Sequence, residues 1–117
     1  MARILVVEDE PSLCLLCRLE LADEGFEVRT ASCAAEARRA VVDWHPDLAV
    51  VDVQLGPANG MELLRYLCAA HPSVRTVVYT GYDPVAVASA WSADAVLVKS
   101  IDLTELKRTV HRLVAAI

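Results

Sequence analysis

The sequence predicts an α/β fold in which helices cover both faces of a five-stranded parallel sheet. Five short, mainly apolar runs alternate along the 117 residues with longer segments that carry helix start and stop signals. This alternation is typical of strand–helix–strand units, in which successive strands are parallel. Residues 48–51 are all apolar, a run too short for a buried helix and typical of a strand covered on both faces. The predicted strands span residues 3–7, 26–31, 48–51, 74–79 and 95–98.

Proline, glycine and hydroxyl residues mark the ends of the first two predicted helices. Pro11 suits the first turn of a helix, and Gly25 suits the position that follows a helix C-terminus. The first helix is therefore expected to run between them. Ser32 is expected to cap the second helix, at residues 33–44, which Pro46 prevents from continuing.

Capping patterns mark the other three predicted helices. Asn59, with a glutamate three residues later, resembles a capping box that opens a helix to about residue 71. Asp83 is followed by a proline and predicts a short fourth helix to about residue 91. Asp102, again with a glutamate three residues later, starts the last helix. The apolar face of this last helix is formed by Leu103, Leu106, Val110, Leu113 and Ile117.

Composition and charge disfavour several classes of protein. The formal net charge is −5 and no cluster of lysine and arginine is present, so binding of DNA or RNA by this chain alone is disfavoured. No apolar stretch approaches the roughly 20 residues that span a bilayer. The N-terminus enters the first strand without the organisation of a signal peptide. We therefore expect one cytoplasmic domain over residues 1–117 with no membrane association.

Cysteine spacing raises the question of a redox or metal site. Cys14 and Cys17 have the spacing of a CxxC motif. However, a second ligand pair is missing, and the motif lies inside an apolar helix instead of opening one. We therefore expect these two residues, together with Cys33 and Cys68, to serve as small hydrophobic side chains.

Polar residues follow four of the five predicted strands. The first strand ends in Glu8 and Asp9, the third in Asp52, the fourth in Thr80 and the fifth in Lys99. In a parallel sheet these ends lie at one edge, where open α/β sheets carry their ligands. Each residue alone would more often be an ordinary polar residue at a strand end. Their joint placement predicts a functional site.

The residue types at this edge favour phosphoryl chemistry. Three carboxylates in one place repel each other, and a divalent cation such as Mg²⁺ would compensate that repulsion. The Lys99 ammonium and the Thr80 hydroxyl both suit phosphate oxygens. With these groups around it, the Asp52 carboxylate can attack phosphorus and form an aspartyl-phosphate.

Over its whole length the sequence resembles response-regulator receiver domains, the phosphoacceptor modules of two-component signalling. The matching features are Val6-Val7-Glu8-Asp9-Glu10-Pro11, Pro46-Asp47-Leu48-Ala49-Val50-Val51-Asp52, Gly60, Thr80-Gly81-Tyr82 and Lys99. The resemblance implies a flavodoxin-like strand order 2-1-3-4-5 and phosphorylation on Asp52. It implies that Thr80 is the switch hydroxyl, that Lys99 pairs with the phosphate and that Gly81 leaves room for it. The implied Mg²⁺ ligands are Glu8, Asp9, Asp52 and the backbone carbonyl of Gln54.

The same resemblance implies a partner and a reaction. A histidine kinase or a histidine phosphotransfer protein would donate the phosphoryl group in a Mg²⁺-dependent reaction. The domain would assist its own phosphorylation and dephosphorylation without being an enzyme in the usual sense. The alternative is an interaction module that docks partners without a phosphorylation switch. A Mg²⁺-dependent phosphohydrolase is disfavoured, because no general acid lies near Asp52 in the sequence and no cap domain is present.

Three departures from the family pattern predict an altered readout. Ser100 follows Lys99 where the family usually has proline, which bears on the geometry of that loop. Val96 stands where the family usually has tyrosine or phenylalanine, and the segment between Thr80 and Lys99 is a few residues shorter than usual. All three changes lie on the face that many family members use for output. We therefore expect an intact site with a changed output face.

The first predicted helix carries apolar residues on two sides. At about 100° per residue, the side toward the sheet is formed by Leu13, Leu16, Cys17 and Leu21. The opposite side, here termed the α1 strip, consists of Cys14, Leu15, Arg18, Leu19 and Ala22. Scattered surface leucines are common, but a contiguous apolar patch usually marks a partner surface. We expect the α1 strip to dock a kinase or to form a two-fold homodimer.

Overall fold

The computed structural model of the chain describes residues 1–55, 58–81 and 93–116. The side chains of residues 55, 58 and 59 are not included in this description. The predicted fourth helix at residues 83–91 lies outside the described residues. Tyr82 and Ile117 also lie outside them.

The central sheet contains five parallel strands, and the predicted order is confirmed. The strands are β1 (Arg3–Val7), β2 (Glu27–Ala31), β3 (Leu48–Val51), β4 (Arg75–Thr80) and β5 (Ala95–Val98). Their order across the sheet is β2-β1-β3-β4-β5, so β1, β3 and β4 are interior strands. All four strand pairs are parallel. The carboxyl ends of the strands therefore share one edge of the sheet.

Four described helices cover the two faces of this sheet. They are α1 (Pro11–Asp23), α2 (Ala34–Trp44), α3 (Gly60–Ala70) and α4 (Thr104–Ala115). One apolar cluster joins α1 and α4 to the sheet through residues such as Cys17, Leu21, Leu106 and Val110. A second cluster joins α2 and α3 to the opposite face through residues such as Ala37, Val41, Leu63 and Leu67. The predicted doubly wound architecture is confirmed.

The ends of the first two helices follow the sequence signals only in part. Gly25 follows α1 with φ +96°, a conformation that favours glycine, and its N–H donates to the Ala22 carbonyl at 3.0 Å. At the end of α2, His45 adopts the left-handed conformation before Pro46, with φ 55°. The predicted capping of α2 by Ser32 is wrong. The Ser32 N–H and hydroxyl both donate to the Glu36 carboxylate, and the capping position is occupied by the next residue.

A short hairpin replaces the open loop that was predicted after β3. Gln54–Leu55 pairs antiparallel with Ala58–Asn59, and α3 begins at the next residue. Gly60 lies against the backbone at the end of β3, because its N–H donates to the Val53 carbonyl at 3.0 Å. A Cβ at Gly60 would lie 2.1 Å from the Asp52 carbonyl oxygen, so only glycine fits there without displacement. The hairpin thus returns the chain directly beside Asp52.

The two sides of α1 lie as the sequence predicts except at Cys14, which was assigned to the α1 strip but is half-buried, with its thiol hydrogen-bonded to Thr30 on β2. Cys17 and Leu21 are buried, and Leu13 and Leu16 are half-buried against the same core. On the other side, Leu15 and Leu19 are 48% and 54% exposed.

In the described ranges, no helix combines the length and apolar character needed to cross a membrane.

Candidate functional site

The ends of β1 and β3 bring two acidic residues next to each other. The Glu8 N–H donates to the Ala31 carbonyl at 3.0 Å, and the Asp52 N–H donates to the Val7 carbonyl at 3.1 Å. These bonds extend the sheet ladder by one residue on each strand. The two carboxylates are therefore held by the backbone of the sheet, and both are nearly buried, at 4% and 5% exposure.

Lys99 joins these two carboxylates from the end of β5. Its Nζ lies 2.5 Å from Glu8 Oε1 and 2.7 Å from Asp52 Oδ2. The second Asp52 oxygen, Oδ1, accepts a hydrogen bond from the Gln54 N–H at 3.0 Å. The structure thus brings the predicted nucleophile, the predicted phosphate-pairing lysine and one predicted metal ligand into direct contact.

Burial and close contact between charged groups change the pKa values of Glu8 and Lys99. Burial, followed by the hydrogen bond to Asp52 and its negative charge, raises the pKa of Glu8 to about 7, although Lys99 acts in the opposite direction. Burial opposes the charge of Lys99, but hydrogen bonds to Asp52 and Glu8 outweigh that effect and raise the pKa of Lys99. Lys99 therefore remains protonated at neutral pH, as a phosphate-binding ammonium must be.

The acidic residues fit a divalent cation of the kind that the sequence implies. Glu8, Asp9 and Asp52 each place one carboxylate oxygen within 4.8 Å of the others. Among the described residues, Glu8 Oε2 is the one buried side-chain oxygen or nitrogen without a hydrogen-bond partner. A hard cation satisfies such an oxygen, and Mg²⁺ prefers oxygen ligands at about 2.1 Å. The third residue of the acidic run, Glu10, accepts from the Leu13 N–H at 2.7 Å and so caps α1 instead.

An open cleft gives solvent access to these groups. Its volume is about 410 Å³, and it is lined by Asp9, Glu10, Asp52, Gln54 and Lys99. Gln54 lies on the first strand of the hairpin, and its N–H donates to Asp52. The cleft has room for a phosphoryl group beside Asp52.

Thr80 and Gly81 lie at the end of β4, on the same edge of the sheet. Thr80 is fully buried, and its carbonyl accepts from the Lys99 N–H at 2.6 Å. An added Cβ at Gly81 would have no described atom within 4 Å. The described residues therefore leave space at Gly81, and the role that the resemblance gives it stays a prediction.

One feature of the site was missed from the sequence. The Tyr79 hydroxyl donates to the Ser100 carbonyl at 3.0 Å and accepts from the Ser100 N–H at 3.1 Å. Proline has no N–H, so the second bond exists only because this position is serine. The departure from proline was visible in the sequence, but nothing there indicated which group would pair with the freed N–H.

The four cysteines all lie within the described residues. All four cysteines are free thiols, with Cys17 buried and the other three half-buried, in agreement with a packing role. Burial raises the pKa of Cys17 to about 11, which makes its thiol unreactive at neutral pH.

Val96 is half-buried against the cluster of Val53, Leu64 and Val78. No peptide bond among the described residues is cis, including the bond between Lys99 and Ser100.

Comparison with protein families and curated proteins identifies similar sequences. Residues 4–111 match the model of the response regulator receiver domain. The chain is 36% identical over 108 residues to the alginate biosynthesis transcriptional regulatory protein AlgB of Pseudomonas aeruginosa. This match covers 90% of the chain and 24% of AlgB, so the chain spans about a quarter of that relative's length.

Solved structures agree with the sequence matches. The response regulator TrrA from Thermotoga maritima, in complex with Mg²⁺-BeF, superposes with a TM-score of 0.90 at 33% identity. The match covers 97% of this chain and 99% of TrrA. TrrA bound to the histidine kinase ThkA superposes with a TM-score of 0.89 at 33% identity, covering 97% of this chain and 98% of TrrA.

Proposed function

This chain belongs to the response regulator receiver domain family, and from that membership we propose that Asp52 is its phosphoacceptor. It is a receiver domain of two-component signalling. A histidine kinase or a histidine phosphotransfer protein is the proposed donor, and residues 1–117 are proposed to form a single receiver domain. The observation that carries the proposal is the contact of Lys99 with Asp52 at 2.7 Å beside Glu8 and Asp9.

The proposed transfer uses groups that already surround Asp52. A carboxylate oxygen of Asp52 forms a bond to phosphorus while the bond from phosphorus to the donor's histidine nitrogen breaks, and that nitrogen keeps the electron pair. Lys99 pairs with the phosphoryl oxygens after transfer, because its ammonium already lies beside the attacking carboxylate. Thr80 is the proposed switch hydroxyl, supported by its position at the end of the neighbouring strand β4.

Mg²⁺ is the proposed cofactor of this reaction. Glu8, Asp9, Asp52 and the backbone carbonyl of Gln54 are the proposed ligands. The orphaned Glu8 oxygen and the close approach of the three carboxylates support the first three of these ligands. When bound, the cation supplies positive charge that offsets the charge of the carboxylates and the incoming phosphoryl group. The receiver TrrA is known in complex with Mg²⁺-BeF, which supports the choice of metal.

Partners are proposed from the family and from the surface of α1. TrrA has been crystallised with the histidine kinase ThkA, which supports a kinase as partner of this chain. Helix α1, which carries the α1 strip, begins at Pro11, two residues after Asp9, and we propose that a protein docked on the strip presents a phosphohistidine to Asp52. Self-association through the same strip remains the second proposed use of this surface.

The output of the whole protein is a separate question. AlgB is named as a transcriptional regulator, but the chain spans about a quarter of it. That this chain itself binds no nucleic acid, and that it works in the cytoplasm, remain predictions from its sequence. Autodephosphorylation of Asp52 is part of the same proposal.

Incubation with acetyl phosphate and Mg²⁺, followed by intact mass measurement, tests the proposal. The wild-type chain should gain one phosphoryl group, and Asp52→Asn should gain none. Asp43→Asn is the matched control, since Asp43 is an exposed aspartate in α2. Undiminished labelling of Asp52→Asn would refute the assignment.

A second experiment tests the proposed role of Mg²⁺. Asp9→Ala should require more Mg²⁺ for the same labelling rate, and a chelator should abolish labelling of the wild type. Labelling that persists in the chelator would contradict the role of Mg²⁺. A folded wild-type chain that gains no adduct at all would favour the alternative docking module.

A further inference from the structure

Tyr79 forms a two-point contact with the residue that follows Lys99. Its hydroxyl bonds both the carbonyl and the N–H of Ser100, at 3.0 and 3.1 Å. The ring is 4% exposed and packs in the core cluster that contains Cys17 and Leu106. A buried ring of this kind has little freedom, so the hydroxyl is a fixed anchor and not an adaptable one.

The backbone on the other side of Lys99 is anchored as well. The Lys99 N–H donates to the Thr80 carbonyl at 2.6 Å. Lys99 therefore lies between two anchors on β4, the carbonyl of Thr80 before it and the hydroxyl of Tyr79 after it. These two β4 residues are adjacent in sequence, and both lie at the end of a strand in the interior of the sheet.

Lys99 needs such anchors because its own strand gives it little support. Strand β5 is last in the sheet order and has one hydrogen-bonded neighbour among the described strands. Val98, just before Lys99, is 47% exposed, and Ile101, two residues after it, is 94% exposed, so these two side chains add little core packing beside Lys99. The ammonium must nevertheless reach Glu8 and Asp52 on two other strands.

We propose that Tyr79 is a positioning residue for Lys99, because its hydroxyl fixes the backbone of Ser100 by two hydrogen bonds. A proline restricts the backbone by its ring. Here the restriction comes from two hydrogen bonds to the serine in its place. The proposal rests on the proposed function of Lys99, namely pairing with the phosphoryl group of Asp52.

A simpler role is that the buried hydroxyl merely finds hydrogen-bond partners and stabilises the fold. The two roles differ in their dependence on Lys99. A purely structural hydroxyl has the same effect on the domain whether or not Lys99 is present. A positioning hydroxyl loses its effect on phosphorylation once the ammonium has been removed.

A double-mutant cycle of Tyr79→Phe and Lys99→Gln separates these roles. The initial rate of labelling by acetyl phosphate at saturating Mg²⁺ is measured by intact mass, and urea unfolding is measured on the same four proteins. Tyr79→Phe should slow labelling by roughly three- to tenfold, the loss expected for a neutral hydrogen bond. In the Lys99→Gln background it should slow labelling no further, and the two stability effects should be non-additive. Tyr66→Phe is the matched control, because that hydroxyl contacts His71, the residue just after α3, and should leave the rate unchanged.

Two outcomes would overturn the proposal. One is a Tyr79→Phe rate equal to that of the wild type. The other is an equal factor of slowing, or an equal loss of stability, in both backgrounds. Failure of the wild-type chain to label at all would refute the proposed function instead, and the stability cycle would then decide the role of Tyr79 alone.

Discussion

The ammonium of Lys99 lies 2.7 Å from the carboxylate of Asp52, and the same ammonium lies 2.5 Å from Glu8. One cation therefore contacts two nearly buried carboxyl groups. A metal ion bound to the same carboxylates would share this task with Lys99. Because Lys99 and the metal compete for the same carboxylates, removal of Lys99 leads to the first prediction.

Lys99→Met should destabilise the metal-free domain by about 3 kcal/mol, because it leaves two buried carboxylates without their cation. Mg²⁺ should restore more stability to this variant than it adds to the wild type, since no ammonium competes for the carboxylates. Urea unfolding with and without Mg²⁺ measures both effects. Lys107→Met is the control, because the pair of Lys107 with Glu20 is more exposed and its loss should cost much less.

Gly60→Ala should destabilise the domain by about 1–3 kcal/mol and slow the labelling of Asp52, because overpacking displaces the backbone. The added Cβ would lie 2.1 Å from the Asp52 carbonyl oxygen and 2.6 Å from the Cα of Val53. Gly81→Ala is the control for stability, since its Cβ meets no described atom within 4 Å. Equal unfolding midpoints for the two variants would show that the close approach at Gly60 is unimportant.

Leu15→Glu combined with Leu19→Glu should leave the fold and the acetyl phosphate labelling unchanged, because both side chains are about half-exposed. The pair should weaken transfer from a phosphorylated kinase or weaken self-association, measured by transfer kinetics and sedimentation. Val42→Glu is the control, because Val42 is similarly exposed, at 53%, but lies on α2. If transfer and self-association both stay unchanged, the α1 strip is ordinary surface.

The free energy of unfolding should fall at alkaline pH, partly because the Tyr79 hydroxyl loses its proton. Burial raises the pKa of Tyr79 above its ordinary value of 10.0, so the folded chain holds this proton more tightly than the unfolded chain. The contribution is fully present below about pH 10 and is lost as pH rises through the raised pKa. Tyr79→Phe should therefore reduce the alkaline slope of unfolding free energy against pH, whereas Tyr66→Phe serves as the comparison. An unchanged slope in Tyr79→Phe would contradict this assignment.

His45→Gly should raise stability by up to about 1 kcal/mol, because a left-handed backbone strains every residue with a Cβ. His45 has φ 55° and ψ 68° at the end of α2. His45→Ala keeps the Cβ and should give no gain. Thermal unfolding of the two variants measures the difference, and equal melting temperatures would argue against strain at this position.

The sheet and the main site residues could be predicted because each depends on local signals plus one rule of topology. Apolar runs located the strands, and the shared edge of a parallel sheet then brought Glu8, Asp52 and Lys99 together. The structure confirms the strand order and this contact. The roles of these residues in phosphorylation stay predictions until labelling is measured.

What the sequence could not provide was the partner of each polar group. Ser32 is a good cap by type, but its N–H and hydroxyl donate to Glu36 and the capping position falls one residue later, at Cys33. The bond between Tyr79 and Ser100 joins residues 21 apart, and its geometry depends on how a buried ring packs. The hairpin after β3 has two residues per strand, which is too short to leave a periodic pattern.

The contact between Glu8 and Lys99 joins residues 91 apart in a chain of 117. Closing so long a loop is entropically unfavourable, and contacts of this kind slow folding. During synthesis, Glu8 leaves the ribosome long before Lys99 does, so an incomplete chain contains the carboxylates without their cation. Under the proposed roles of Asp52 and Lys99, competence for phosphorylation is acquired only after β5 has docked. Labelling of Asp52 would then report that the chain has been made and folded at least as far as Lys99, as well as the signal that it receives.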